Sequence, residues 1–190
     1  MAKLQPSDSR ITIADTAEGL RIVMPCRRSW FVICFLTFWL WGWAVAEVMV
    51  ANQLMMGDGP PEGELFMLAW LGVWTVGGVV AIYAWLWQLM GKEILTARGQ
   101  TFTVRRDIGG LGFEKKYDLV QMRDLRARPV GLKSVDLSSS FHLWGVGGII
   151  AFDYGPRTYR FGAGLDEAET KHVLTSIKQR YTIPETTSNK

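Results

Sequence analysis

No lysine or arginine occurs between Arg28 and Lys92. So long a gap excludes an ordinary solvated domain over those residues, because soluble surfaces carry charges of both signs throughout. Cysteine is scarce, with Cys26 and Cys34 only. Two thiols exclude a disulfide-stapled secreted scaffold and a cysteine-rich zinc site. The only histidines, His142 and His172, are far apart and lack neighbours at metal-ligand spacing, so no metal site is expected. There is no G-x-x-x-x-G-K-[ST] phosphate loop, no G-x-S-x-G elbow around Ser138, Ser139 and Ser140, and no strand–loop–helix unit for a dinucleotide. The clusters Gly109-Gly110-x-Gly112 and Gly145-x-Gly147-Gly148 read as turns. The expectation is a chain without enzymatic activity and without a bound cofactor.

What fills the gap is apolar. Residues 29–46 read SWFVICFLTFWLWGWAVA and continue past Glu47 to about residue 51. Residues 65–91, LFMLAWLGVWTVGGVVAIYAWLWQLMG, carry no charge. A bilayer core about 30 Å thick takes roughly 20 helical residues, and in lipid the backbone must bond to itself. Two spanning helices are expected, over about 29–51 and 65–90, joined by a loop over 52–64. A cleaved secretory signal is not expected, since about 28 residues with strand character precede the first run.

The charges sort by zone. Residues 1–28 carry five basic and three acidic groups, residues 29–91 carry only Glu47, Asp58, Glu62 and Glu64, and residues 92–190 carry sixteen basic and eleven acidic groups. Lysine and arginine flanking a span favour the cytoplasmic side. Both termini are therefore expected in the cytoplasm, with the acidic loop outside.

Outside the runs, short period-two segments predict strands at 11–14 and 20–24, then 93–97, 101–108, 111–118 and 120–126, then 149–154 and 158–161. In the segment 101–108, Phe102, Val104 and Ile108 share a face, and Arg106 breaks the pattern by falling on it. Residues 129–148 read as a long loop with room for one poor strand. Asp166 with Glu169 three residues on has the capping-box spacing. Lys178 and Arg180 suit the end of the helix that follows, and Leu174, Ile177 and Tyr181 form its expected buried stripe. The tail from residue 184 is expected to be disordered. The predicted architecture is a transmembrane α-helical hairpin inserted after the first two of six or seven antiparallel strands. The domains are an N-terminal segment (1–28), the hairpin (29–91), a soluble domain (92–183) and a tail (184–190).

The segment Tyr117-Asp118-Leu119-Val120-Gln121-Met122-Arg123-Asp124-Leu125, and the ending Arg157-Thr158-Tyr159-Arg160-Phe161-Gly162 before Leu165-Asp166-Glu167-Ala168-Glu169, carry a resemblance. The soluble part resembles a bacterial pleckstrin-homology-like domain over roughly 93–182. That family pairs such a domain with a helical hairpin in bacterial membrane proteins. The resemblance implies a bent antiparallel sheet or barrel closed by a C-terminal amphipathic helix, in a domain type that binds partners. The layout is also similar to that of a photosystem I assembly factor. Fold analogy leaves function open.

Three residue groups are candidates for function. In the hairpin, Trp39 and Trp43 lie deep, while Gly42/Ala46 and Gly77/Ala81 are small-x-x-x-small pairs that permit close helix contact. They are the expected contact with other spans, or they pack the hairpin against itself. Glu47 is ionisable within an apolar stretch, a feature that marks function unless the carboxylate reaches the interface. Arg105, Arg106, Lys115, Lys116, Arg123 and Arg126 form an expected patch for anionic head groups or a partner, diluted by nearby carboxylates that argue against nucleic acid. The leading expectation is an accessory or assembly subunit of a larger membrane complex, photosynthetic or respiratory, in the bacterial inner membrane. Its partners would be lipids and integral membrane proteins, with contacts to lipid or pigment and self-association left open. The alternative is a lipid sensor that reads head groups through the basic strands.

Overall fold

The computed structural model describes residues 10–17, 19–56, 61–127 and 148–185, apart from the side chains of residues 61, 62 and 64. The chain divides into two units, residues 28–89 and the remainder.

The first unit is a pair of helices, α1 (Trp30–Met56) and α2 (Pro61–Met90), each long and apolar enough to cross a membrane. Both run further than expected. The loop placed at 52–64 is helical at 52–56 and 61–64, so only residues 57–60 lie outside the described structure. A helix need not end where its hydrocarbon-length apolar run ends, and Pro61 has a fixed φ suited to the first helical position. Large apolar side chains cover the outside: Phe38 is 78% exposed and Trp41 70%.

The second unit is mainly β. β1 (Thr12–Thr16), β2 (Gly19–Pro25), β3 (Gly91–Arg98), β4 (Thr101–Ile108) and β5 (Leu111–Asp118) form one antiparallel sheet in that order. After a 3-10 turn at Leu119–Gln121, β6 (Met122–Ala127), β7 (Ile150–Tyr154) and β8 (Arg157–Phe161) form a second. That makes eight strands among the described residues, one at each of the eight period-two segments, where the predicted architecture counts six or seven. β2 and β3 are direct neighbours, Leu20 opposite Ala97 and Pro25 opposite Lys92. The two helices are thus an insertion into the connection of one β-hairpin. The Cys26 N–H donates to the Gly91 carbonyl at 2.9 Å where the chain departs and returns.

The inward residues of both sheets share one core, with Leu20, Ile22, Leu95, Phe102, Phe152 and Phe161 almost fully buried. Phe102 meets Phe152 edge-on with ring centres 5.8 Å apart, and Tyr117 meets Phe152 at 5.0 Å. The helix α3 (Glu167–Arg180) packs on β6. Asp166 Oδ1 accepts from the Glu169 N–H at 2.8 Å, and the Asp166 N–H donates back to Glu169 Oε2 at 2.9 Å. The buried stripe differs from the expected one. Thr170, Val173 and Ile177 are buried, while Leu174 and Tyr181 are only partly so. Thr170, Val173, Leu174 and Ile177 lie on neighbouring arcs of the helix, Tyr181 follows as its extended C-cap, and the surface the helix packs against selects the centre of the stripe.

Two readings of the C-terminal half are affected. Residues 184 and 185, expected in a free tail, are engaged: the Asp124 N–H donates to the Pro184 carbonyl at 2.8 Å, and Lys178 pairs with Glu185 at 3.0 Å. The reading of 129–148 as a loop, with Ser138, Ser139, Ser140 and His142, lies outside the described residues except at Gly148, as do residues 186–190.

Candidate functional site

In the hairpin, polar groups form a ladder between the two helices. The Ser29 N–H donates to Gln88 Oε1 at 3.2 Å. Trp85 Nε1 donates to Thr37 Oγ1 at 2.8 Å, and that hydroxyl donates to the Ile33 carbonyl. Trp43 Nε1 donates to the Trp74 carbonyl at 3.2 Å. The Thr75 hydroxyl lies within donating distance of Glu47 Oε1 and of the Leu71 carbonyl. Glu47 therefore points at the neighbouring helix, and its Oε2 is buried without a hydrogen-bond partner among the described residues. Polar side chains facing each other inside an apolar pair hold its register, because the alternative in lipid is an unsatisfied group.

The hairpin residues expected to meet a partner separate into two sets. Trp43 is used internally: its ring lies where a Cβ on Gly78 would be, so Gly78 permits the close approach of the two helices. Ala81 is buried within the chain, Ala46 is half-buried, and the Trp39 ring centre is 6.4 Å from that of Trp74. Gly42 and Gly77 face open space, with nothing within 4 Å of an added Cβ. Trp87 is buried and stacks on Tyr83, their ring centres 6.4 Å apart.

The basic residues are mostly committed. Arg106, the exception on the apolar face of β4, pairs with buried Glu93 on β3 at 3.1 Å. Glu93 Oε2 also accepts from the Gly162 and Ala163 N–H groups at 2.6 and 3.3 Å. Gly162 holds a φ of 78°, a conformation that favours glycine. Burial pushes the Glu93 carboxyl above its ordinary value, against the Arg106 guanidinium and the two N–H donors. Arg105 and Lys92 both pair with buried Asp107, at 3.0 and 3.2 Å. Desolvation acts to raise that carboxyl, but Lys92, Arg105 and the Gly110 N–H together hold it below the usual range.

Lys116 pairs with Glu114 at 3.1 Å. Arg126 bridges Asp124 and Asp153, and the Asp153 bond first, against desolvation, raises its pKa. Lys115 and Arg123 form no ion pair among the described residues, and they stand on different sheets. Four of the six cations thus have carboxylate partners within the unit, and the other two stand on different sheets. The buried Glu93–Arg106 pair was not singled out from the sequence as a site. Its only sequence signal was the misplaced Arg106.

Among the described residues no group of three or more histidine, cysteine, aspartate or glutamate side chains is placed to hold a metal ion. No protein-family profile, curated protein or solved structure matches the chain. The chain is described by its architecture: a long apolar helical pair and antiparallel sheets.

Proposed function

We propose that the chain is an integral membrane protein that acts as an accessory or assembly subunit of a larger membrane complex, docking through its helical hairpin. The observation that carries this reading is the pair of notches on the hairpin's outer surface. Gly42 lies between Phe38 and Val45 at helical spacing, and Gly77 lies between Val73 and Val80; all four flanking side chains are exposed. A glycine framed by apolar ridges lets a neighbouring span approach closely, and van der Waals packing is a main source of association in lipid. Neither glycine is occupied by the hairpin itself.

The mainly-β unit is read as pleckstrin-homology-like, with its two sheets and closing helix supplying a second contact surface in the cytoplasm. The basic flanks of the helical pair support cytoplasmic termini in a bacterial inner membrane. The lipid-sensor alternative has less support, since four of its six cations have carboxylate partners.

The test is solubilisation of native membranes in gentle detergent, followed by a native gel. The parent chain is expected to migrate with a larger assembly. Gly42→Leu combined with Gly77→Leu is expected to insert in the membrane yet migrate free of it. A parent that migrates alone, or a double variant that stays in the assembly, overturns the proposal. If Lys115→Gln with Arg123→Gln abolishes binding to anionic vesicles and leaves the assembly intact, the lipid reading replaces it.

A further inference from the structure

We propose that the tip of the β4–β5 hairpin is a second membrane contact, at which Leu111 and Phe113 insert among lipid acyl chains at the bilayer surface. Leu111 is 84% exposed and Phe113 87%. Strand alternation puts both on the face that carries Tyr117. Tyr117 is buried in the core, but the core stops short of the tip, so the same face ends in two uncovered apolar side chains. Side chains of this size, left adjacent and uncovered, mark a contact with something apolar.

The register says where they are. Leu111 lies opposite Ile108, and Ile108 lies opposite Gly91, the first residue of β3. On the other side of β3, Pro25 lies opposite Lys92. A Cβ on Gly109 would come within 2.9 Å of Met90 Sδ. The tip is therefore at the end of the sheet from which the chain departs after Arg27 and to which it returns at Met90. The β1–β2 and β3–β4 turns are at the opposite end.

Charge supports a lipid occupant. Lys115, exposed and without an ion pair among the described residues, stands two residues behind Phe113 on the same face, while Glu114 between them pairs with Lys116 at 3.1 Å. An apolar tip backed on its own face by the Lys115 ammonium matches the order of a leaflet, with acyl chains beneath phosphate groups. Two side chains are too few for a stable protein interface, which takes about 800 Å² from each partner. The inference rests on the reading of α1 and α2 as spans.

The experiment uses the full chain, with Cys26→Ser and Cys34→Ala, in phosphatidylcholine nanodiscs. A nitroxide is attached singly through Leu111→Cys, Phe113→Cys, Val76→Cys or Val120→Cys, and its accessibility to oxygen and to a water-soluble nickel chelate is measured. Val76 reports the span, and exposed Val120 reports water at the far end of the sheet. Labels at 111 and 113 are expected to favour oxygen over the chelate several-fold more than the label at 120 does. That result should be unchanged when phosphatidylglycerol is added. Labels at 111 and 113 that match 120 overturn the proposal while Val76 still reports lipid. Labels shielded from both reagents assign the tip to a protein and also overturn it. Insertion that requires phosphatidylglycerol transfers the contact from the apolar pair to the cations. A Val76 label that behaves like 120 shows instead that the spanning reading has failed, and the inference with it.

Discussion

Glu47 in the helical pair and Glu93 in the sheet unit are both carboxylates set among apolar neighbours. Glu47 is met by a hydroxyl from the facing helix and keeps one oxygen unpartnered among the described residues. Glu93 is met by a guanidinium and two backbone N–H groups. The same inversion runs through both units. The sheet unit buries Phe102, Phe152, Phe161 and Tyr117 and places most charges outside. The helical pair shows phenylalanines and tryptophans outward and places hydroxyl, amide, indole N–H and carboxyl groups between its helices. In water the apolar surface must be enclosed. In lipid the outside costs nothing to an apolar side chain, and the polar groups are the ones that need partners.

The largest effect that would sharpen this contrast is in the aromatic core. Phe102→Ala is expected to cost about 3–5 kcal/mol, as for a large ring removed from a packed interior. Pulse proteolysis of the full chain in mild detergent would measure it. Phe38→Ala, on the exposed face of α1, should change the same measurement hardly at all, and equal losses for the two would break the contrast.

Next comes the buried ion pair. Glu93→Ala leaves Arg106 and two N–H groups without their acceptor. A loss of about 3 kcal/mol is expected, the low end for a broken buried pair, because the Arg106 side chain keeps a 32% exposure to water. A loss below the level of a surface pair would show that Glu93 does not organise that end of the sheet.

A smaller effect separates Asp107 by its sign. Its folded pKa is lowered, so the unfolded chain binds the proton more readily. The carboxylate's stabilisation is present above its ordinary value of 3.8 and is lost as pH falls through the lowered folded value. Asp107→Asn should be less stable than the parent at neutral pH, and the gap should close on acidification below that range. A gap that stays constant from neutral to acid pH would contradict it.

The smallest expected change is in the helical pair. Thr75→Val removes the hydroxyl that meets Glu47, and contacts of this kind in membrane bundles average about 0.6 kcal/mol. Unfolding of the hairpin in mixed micelles, followed by tryptophan fluorescence, would detect it. A loss of several kcal/mol would place the organising energy of the hairpin at Glu47 and make the two carboxylates alike.

Much of the architecture was legible residue by residue. The cation-free apolar runs stand where α1 and α2 are, because span length is a count of residues against hydrocarbon thickness. Period-two patterns stand where β4 and β5 are, and Asp166 with Glu169 spells a cap, since each signal lies within a few residues. The site was less legible. Gly77 and Gly78 are indistinguishable by type, and only the rotation of α2 against α1 turns Gly78 toward Trp43 and leaves Gly77 outside. The rotation of α3 likewise centres the buried stripe on Val173. Arg106 was visible as an error in a pattern, but its partner is on the neighbouring strand and Gly162 lies 69 residues from Glu93. Local order along the chain sets which residues are apolar, how long each run is and where caps and turns fall. Tertiary structure alone decided that β2 and β3 meet across an inserted helical pair, and which cations are already paired. Those outcomes depend on contacts between residues far apart in the chain, which no local pattern encodes.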